Sequence, residues 1–262
     1  VKRAFDIAAS LVALLLLSPL LGAIALAIWI EDRHSPFYRG VRVSRGGGRF
    51  RMLKFRSMRP DAWKSGVNST ASGDVRITRV GAWLRRRKLD ELPQLWNVLV
   101  GEMSFVGPRP QVEADAALYT AEERRMLEAR PGITDLASIV FADESEILAG
   151  SANPDLEYNR VIRPWKSRLA LAWLEHRSNA CDLRVVFLTA LALVSRERAL
   201  AGVARVLETW GVDQVLVRVA RRNEPLIASA PPGADRVVEM YPARDFRLRV
   251  HEHPAARSMV RP

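Results

Sequence analysis

Asp90 and Glu91 follow four consecutive cations in "RRRKLDELPQL", residues 85–95. Like charges set this close repel one another unless an anion comes to sit among them. Two explanations are open. The carboxylates can themselves be that anion, as N-cap and first-turn acids of a helix beginning near Asp90. There the helix dipole favours each by about 0.3–1 kcal/mol. Alternatively, both are working groups. An ionised carboxylate can attack phosphorus and form an acyl phosphate. Its neighbour, about 100° round a helix, can hold Mg2+, which takes oxygen ligands and bridges phosphate oxygens. Only this second explanation uses the whole basic run. Arg85, Arg86, Arg87 and Lys88 exceed what two acids need, and they suit the charge on a transferring phosphoryl group.

Other residues invite the same question. Arg109 is fixed between Pro108 and Pro110, which lowers the entropy lost when its fork clamps an anion. Lys54 and Arg56 end a basic stretch and suit either a solvated strand face or a phosphate. His251 and His253 lack a nearby Cys, and Glu252 points to the other face of any strand, so a metal site there is not expected. Gly46-Gly47-Gly48 lacks the following lysine and helix of a phosphate loop and reads as a turn. Zinc-finger spacing, a dinucleotide fingerprint and a G-x-S-x-G elbow are all missing.

These side chains need elements to hold them. Residues 37–58 alternate between apolar and basic around the three glycines, which predicts a hairpin with a cationic outer face. The polar run 58–74 is a loop, and Thr78 can cap a helix over 79–87. Leu92, Leu95, Trp96 and Leu99 form an inward stripe on the next helix, with Pro93 in its first turn and Gly101 at its end. "FVGPRPQ" is a rigid extended connector. A short charged helix covers 121–129 and stops at Pro131-Gly132. Residues 155–178 are helical and basic-aromatic, and 182–198 form an apolar amphipathic helix. Beyond about 200 the pattern suggests strands separated by proline turns.

Charge and hydropathy narrow the class. The 262 residues carry a formal net charge of +11, so a polyanionic partner is expected: nucleic acid, anionic headgroups or a nucleoside diphosphate. Residues 33–59 hold nine Lys or Arg and no acid. Cys181 is the sole cysteine, which excludes an intramolecular disulfide, and its apolar neighbours predict a buried thiol.

After Lys2 and Arg3 come 27 residues with Asp6 as their only charge, reaching roughly 40 Å as a helix and long enough to cross a bilayer. A signal peptide, a plain spanning helix and a re-entrant helix-break-helix are the candidates. Asp6, the length and the lack of a cleavage site before Glu31 oppose the first. Ser18-Pro19 at the centre predicts a kink or break. Cations flank both ends, and the positive-inside rule then wants both ends in the cytoplasm. The re-entrant form satisfies both observations.

Taken in order, "KRAFDIAASLVALLLLSP", "FRMLKFRSM", "DVRITRVGAWLRRRKLDELPQLWNVLVGEMSFVGPRP" and "RPGIT" resemble the bacterial sugar transferases. These are monotopic polyprenyl-phosphate sugar-1-phosphate transferases, and the match covers about residues 2–198. The resemblance implies a mainly α fold with a small β-hairpin. Residues 1–31 would be a re-entrant membrane helix broken at Ser18 and Pro19, 32–199 the catalytic core, and 200–262 an appended element. It implies an enzyme of the bacterial cytoplasmic membrane, on its cytoplasmic face. Such an enzyme moves a sugar phosphate from a UDP-sugar to undecaprenyl phosphate and releases UMP. Asp90 matches the nucleophile and Glu91 the Mg2+ ligand. Arg85, Lys54, Arg56 and Arg109 correspond to phosphate-side cations, with Pro108 and Pro110 beside the nucleotide, and Asp182 and Gln94 in support. Membrane lipid is an implied partner, nucleic acid is not, and a homodimer is left open. A membrane-tethered nucleic-acid binder or scaffold is the rival reading of the charge. After "RPGIT" common members continue Gly-Trp-x-Gln, whereas this chain has "DLASIVFADESEILAG", so donor identity does not carry over.

Overall fold

The structure is a computed structural model that describes residues 1–65 and 69–241. The expected mainly helical fold is present. Helix α1 (Lys2–Asp32) leads into an antiparallel hairpin, β1 (Phe37–Val43) and β2 (Arg49–Phe55), in which Tyr38 pairs with Lys54. Gly46 and Gly47 turn the hairpin with positive φ. Phe50, Met52 and Phe55 point inward, while Arg39, Arg49 and Arg51 face solvent as the alternation requires.

Helices α2 (Arg79–Arg86) and α3 (Gln94–Val100) follow. Thr78 caps α2 by accepting from the Gly81 N–H at 3.0 Å, as expected. Strands β3 (Ser104–Val106) and β4 (Gly132–Thr134) pair in parallel, so the predicted connector is in part a strand. Between them lie α4 (Glu113–Ala116) and a 3-10 stretch, Glu123–Glu128, where an α-helix was expected. Then come α5 (Leu136–Val140), α6 (Glu144–Ile147), α7 (Pro154–Glu157), a π-turn at Tyr158–Ile162 and α8 (Arg163–His176). The predicted late helix is α9 (Asn179–Val194), and Ser195 breaks it to cap α10 (Arg196–Thr209). Helix α11 (Gln214–Arg221) completes the order.

One expectation fails here. No strand occurs between 200 and 241; that stretch is two amphipathic helices and an extended strap, because Leu200, Val203, Ala204 and Leu207 repeat at helical spacing and are buried. They join an apolar core continuous with α5, α8 and α9. The histidine pair lies outside the described residues. Cys181 is buried as expected, and burial pushes its thiol up to about 11.

Helix α1 runs through Pro19 as one helix, so the chain does not leave the helix there. The reason is local. Proline removes the donor that would serve the Leu15 carbonyl, and the Ser18 hydroxyl donates to that carbonyl instead, at 2.8 Å. Both ends of α1 are tied to the globular part. At the start, Lys2 Nζ donates to the Val106 carbonyl at 2.8 Å and pairs with Asp182 at 2.5 Å. Arg3 donates to the Val98 and Leu99 carbonyls, and buried Asp6 accepts from the Phe105 N–H. At the far end Asp32 pairs with Arg56, Glu31 accepts from the first N–H groups of α2, and Ile24 and Ile28 pack on Phe55 and Leu84. Leu11, Val12, Leu15 and Leu16, between the ends, are exposed.

Candidate active site

The acid pair does not open a helix. α2 ends at Arg87, Lys88 takes the left-handed conformation with φ 56°, and Leu89–Glu91 forms a 3-10 turn. α3 begins only at Gln94, with Pro93 as its N-cap. The pair therefore lies outside the first turn of α3, and the cations around Glu91 take over the part expected of a helix dipole. The inward stripe also differs from the expected one. Leu95 and Val98 are buried but Trp96 is exposed, and Gln94 and Asn97 face inward in its place.

Asn97 is the residue that periodicity missed. Its Oδ1 accepts from the Leu53 N–H at 2.9 Å, and its Nδ2 donates to the Arg51 carbonyl at 2.9 Å and to Glu102 at 2.6 Å. This pins α3 along the inner edge of β2 and so sets Lys54, one residue further, against the acid turn. A polar side chain placed among the apolar positions of a buried helix was the available signal.

Glu91 is the electrostatic centre. Lys54 Nζ lies 2.9 Å from its Oε1, and Arg109 grips both oxygens, Nη1 at 3.2 Å from Oε2 and Nη2 on Oε1. Burial pushes the Glu91 carboxyl up, but Arg109 and Lys54 outweigh it and hold it well below the usual range. Glu91 in turn raises the Arg109 guanidinium above its ordinary value, while burial pushes the Lys54 ammonium down. Asp90 is buried beside this triad at 6 % exposure.

Arg109 is positioned by the parallel pair. Gly107 and Gly132 touch backbone to backbone; a Cβ on Gly107 would strike the Arg130 carbonyl, and one on Gly132 would strike Gly107. Gly132 N–H donates to the Pro108 carbonyl and Gly107 N–H to the Thr134 carbonyl. The Arg109 N–H is then held by Asp135, which also caps α5 through Ser138. Pro110 lines a small cavity on one side of this segment. An adjoining pocket is lined by Arg109, Asp135, Ser138, Tyr158, Arg163 and Lys166. Lys166 pairs with Glu144 there and lies 5.4 Å from the Tyr158 ring centre. Each cation here has a carboxylate partner: Lys54 and Arg109 share Glu91, Lys166 pairs with Glu144 and Arg163 with buried Glu123.

Several expected residues stand elsewhere. Arg56 spends its guanidinium on Asp32 and on the Ser35 carbonyl at 2.7 Å, anchoring α1. Arg85 lies over Ser57, 3.5 Å from its hydroxyl, because Gly81 lets α2 press directly on the Ser57 backbone. Asp182 contacts Lys2 and the Trp173 Nε1–H, at 3.0 Å from the latter, and joins the membrane helix to α8 and α9. Gln94 is fully buried one turn beyond the acids, with neither amide atom hydrogen-bonded.

The site is a buried Asp90 beside the Glu91–Lys54–Arg109 group, in a chain with an apolar helix long enough to cross a membrane and fixed at both ends. The comparisons give the class. The profile of the family described as bacterial sugar transferase matches residues 1–196, and the chain belongs to that family. It is 40% identical over 202 residues to an undecaprenyl-phosphate glucose phosphotransferase of Komagataeibacter xylinus, covering 72% of this chain and 35% of that one. It is 38% identical over 206 residues to the exopolysaccharide production protein PSS of Rhizobium leguminosarum bv. phaseoli, covering 74% and 96%. A UDP-glucose:undecaprenyl-phosphate glucose-1-phosphate transferase of Caulobacter vibrioides is 34% identical over 205 residues, covering 76% and 71%. The chain thus spans about a third of the first relative's length and nearly all of the second's.

Proposed function

We propose that this transferase moves a sugar 1-phosphate from a UDP-sugar to undecaprenyl phosphate at the cytoplasmic face of the inner membrane. The observation that carries the reading is Glu91 held by Lys54 and Arg109, with buried Asp90 next to it in the chain and Arg109 also lining the adjoining pocket. The donor's diphosphate is met by Arg109, Lys54 and Lys166 in this reading. An Asp90 carboxylate oxygen attacks the sugar-linked phosphorus, the bond to the bridging oxygen breaks, and UMP leaves with that oxygen. A phosphate oxygen of the polyprenyl acceptor then attacks the same phosphorus, and the acyl–phosphate bond breaks to restore Asp90. No water is consumed, and two difficult encounters between anions become two separate steps.

Among the described residues no three His, Cys, Asp or Glu side chains gather as a metal cluster. Mg2+ needs fewer, since one or two carboxylates with phosphate oxygens and water fill its shell. Glu91 would hold the ion only after releasing Lys54 or Arg109, which grip both of its oxygens. The ion would supply further charge neutralisation on the phosphoryl oxygens.

Helix α1 enters and leaves the membrane on one side in this reading. Its support is the tethering of Lys2, Arg3, Asp6, Glu31 and Asp32 to one globular unit. A straight helix of 31 residues extends roughly 46 Å and, if it spanned, would part its ends by a bilayer.

The test is UMP release from UDP-glucose and related donors with undecaprenyl phosphate present, joined to a search for a covalent intermediate. With donor labelled in the sugar phosphate and no lipid, label stays on the wild-type chain and is absent from Asp90→Asn. UMP release by Asp90→Asn at the wild-type rate would remove the nucleophile assignment.

A further inference from the structure

Residues 197–241 lie beyond the family match, yet they hold the donor-side cavity from two directions. The first grip falls on the segment where the chain departs from the common family pattern. Arg196 lies 2.7 Å from Asp143 Oδ1, and Arg222, at the end of α11, lies 3.0 Å from Asp143 Oδ2. The Arg222 guanidinium also sits 5.7 Å from the Phe141 ring centre. Asp143 precedes Glu144, whose carboxylate holds the cavity-lining Lys166.

The second grip is the strap after α11. Its carbonyls at Ile227, Ala230 and Pro232 accept from Trp165 Nε1 at 3.3 Å, Arg168 Nη2 at 2.9 Å and Thr120 Oγ1 at 2.5 Å. The Ser229 N–H donates to the Arg160 carbonyl at 3.0 Å. On α8 the cavity is lined by Arg163, Lys166 and Ala170, spaced i, i+3 and i+7. Trp165 and Arg168 stand two positions along, about 200° round the helix. α8 is therefore held between the cavity and the strap. Further on, the Tyr241 hydroxyl donates to Asp115 at 2.9 Å, in the short helix that ends beside the lining residue Tyr119.

We propose that the segment after Ser195 is an intramolecular clamp that sets the shape of the donor cavity, with Arg222 and Tyr241 as positioning residues for donor selection. The clamp rests on the transferase reading, and it acts on donor binding rather than on bond making. Its described residues touch the elements bearing Lys166 and Tyr158, and no hydrogen bond or ion pair joins those residues to Asp90 or Glu91.

The full chain, in lipid nanodiscs with undecaprenyl phosphate, decides this through initial rates of UMP release over a set of UDP-sugars. Arg222→Ala raises the donor KM about tenfold and leaves kcat within about twofold, because a displaced binding group costs ground-state and transition-state binding alike. The acceptor KM stays put, the ranking among UDP-sugars flattens, and Arg222→Lys recovers part of the loss. Tyr241→Phe, which deletes one hydroxyl, shifts the donor KM in the same direction by less. It decides the matter alone if Arg222→Ala does not fold. Binding of UDP-glucose without lipid, read by thermal shift, weakens by a similar factor, so the clamp is tested even without turnover. Donor KM, ranking and UDP-glucose binding all unmoved in folded variants overturn the clamp, as does a fall in kcat alone. A wild-type protein that binds UDP-glucose but releases no UMP from any UDP-sugar overturns the transferase reading instead.

Discussion

Arg109 clasps both oxygens of Glu91 while Asp135 holds its backbone N–H at 3.3 Å. The arginine is thereby fixed at two points, and its fork is aimed before any substrate arrives. Arg109→Lys keeps the charge but loses the second bond and the planar fork. We expect kcat/KM for UMP release to fall about 10- to 100-fold, with unfolding little changed. Wild-type kinetics in that variant would mean that charge alone suffices.

Glu91→Gln leaves Lys54 and Arg109 buried without their counter-ion. The expected outcome is a loss of roughly 3–5 kcal/mol of stability, together with a changed Mg2+ dependence. The sign with pH follows from the depressed carboxyl. The pair contributes above the unfolded value, and that contribution fades as pH falls through the lower folded one. Acid denaturation of Glu91→Gln should therefore be shallower than that of the wild type; parallel curves would deny the pair any role in stability.

Asn97 satisfies two backbone groups of β2 and one carboxylate at once. Asn97→Leu strands the Leu53 N–H and the Arg51 carbonyl, each buried group costing about 1–3 kcal/mol. A clear drop in the unfolding midpoint of the solubilised protein checks this, and a neutral substitution would show that β2 finds other partners.

Asp115 behaves in the opposite sense to Glu91. Burial raises its carboxyl from 3.8 to about 6, against a hydrogen bond from Tyr241 and the charges of Arg163 and Arg42, with Asp155 adding to the rise. The folded state then holds the proton more tightly than the unfolded one. Stability from this group is full below 3.8 and is lost as pH rises to about 6, with a limiting slope of about 1.4 kcal/mol per pH unit. Asp115→Asn should flatten denaturation midpoints across that window, and an unchanged profile would place the titration elsewhere.

Pro19→Ala restores the missing N–H to the Leu15 carbonyl and frees the Ser18 hydroxyl. A helix with less reason to bend favours crossing over returning. In wild-type spheroplasts, single cysteines at Val1 and Glu31 should both resist a membrane-impermeant thiol reagent. In Pro19→Ala the Val1 position should become reactive as the ties of Lys2 and Arg3 are lost. Labelling of one end in the wild type would make α1 a spanning helix.

Several features that depend on local pattern could be read from sequence: the hairpin, the Thr78 cap, the apolar length of α1, the glycine end of α3 and the acid pair with its cations. The reason is that alternation, capping and charge repulsion act between neighbours. Where the pair sits was a different matter. A left-handed Lys88 and a 3-10 turn replaced the helix start, and the ions that keep Glu91 charged come from residues 37 positions before it and 18 after. Arg56 and Asp182, which the resemblance places at the site, hold the two ends of α1. Such choices depend on which backbones can touch, as Gly107 and Gly132 do, and on which buried charges find partners. Those are properties of packing, and only the folded chain decides them.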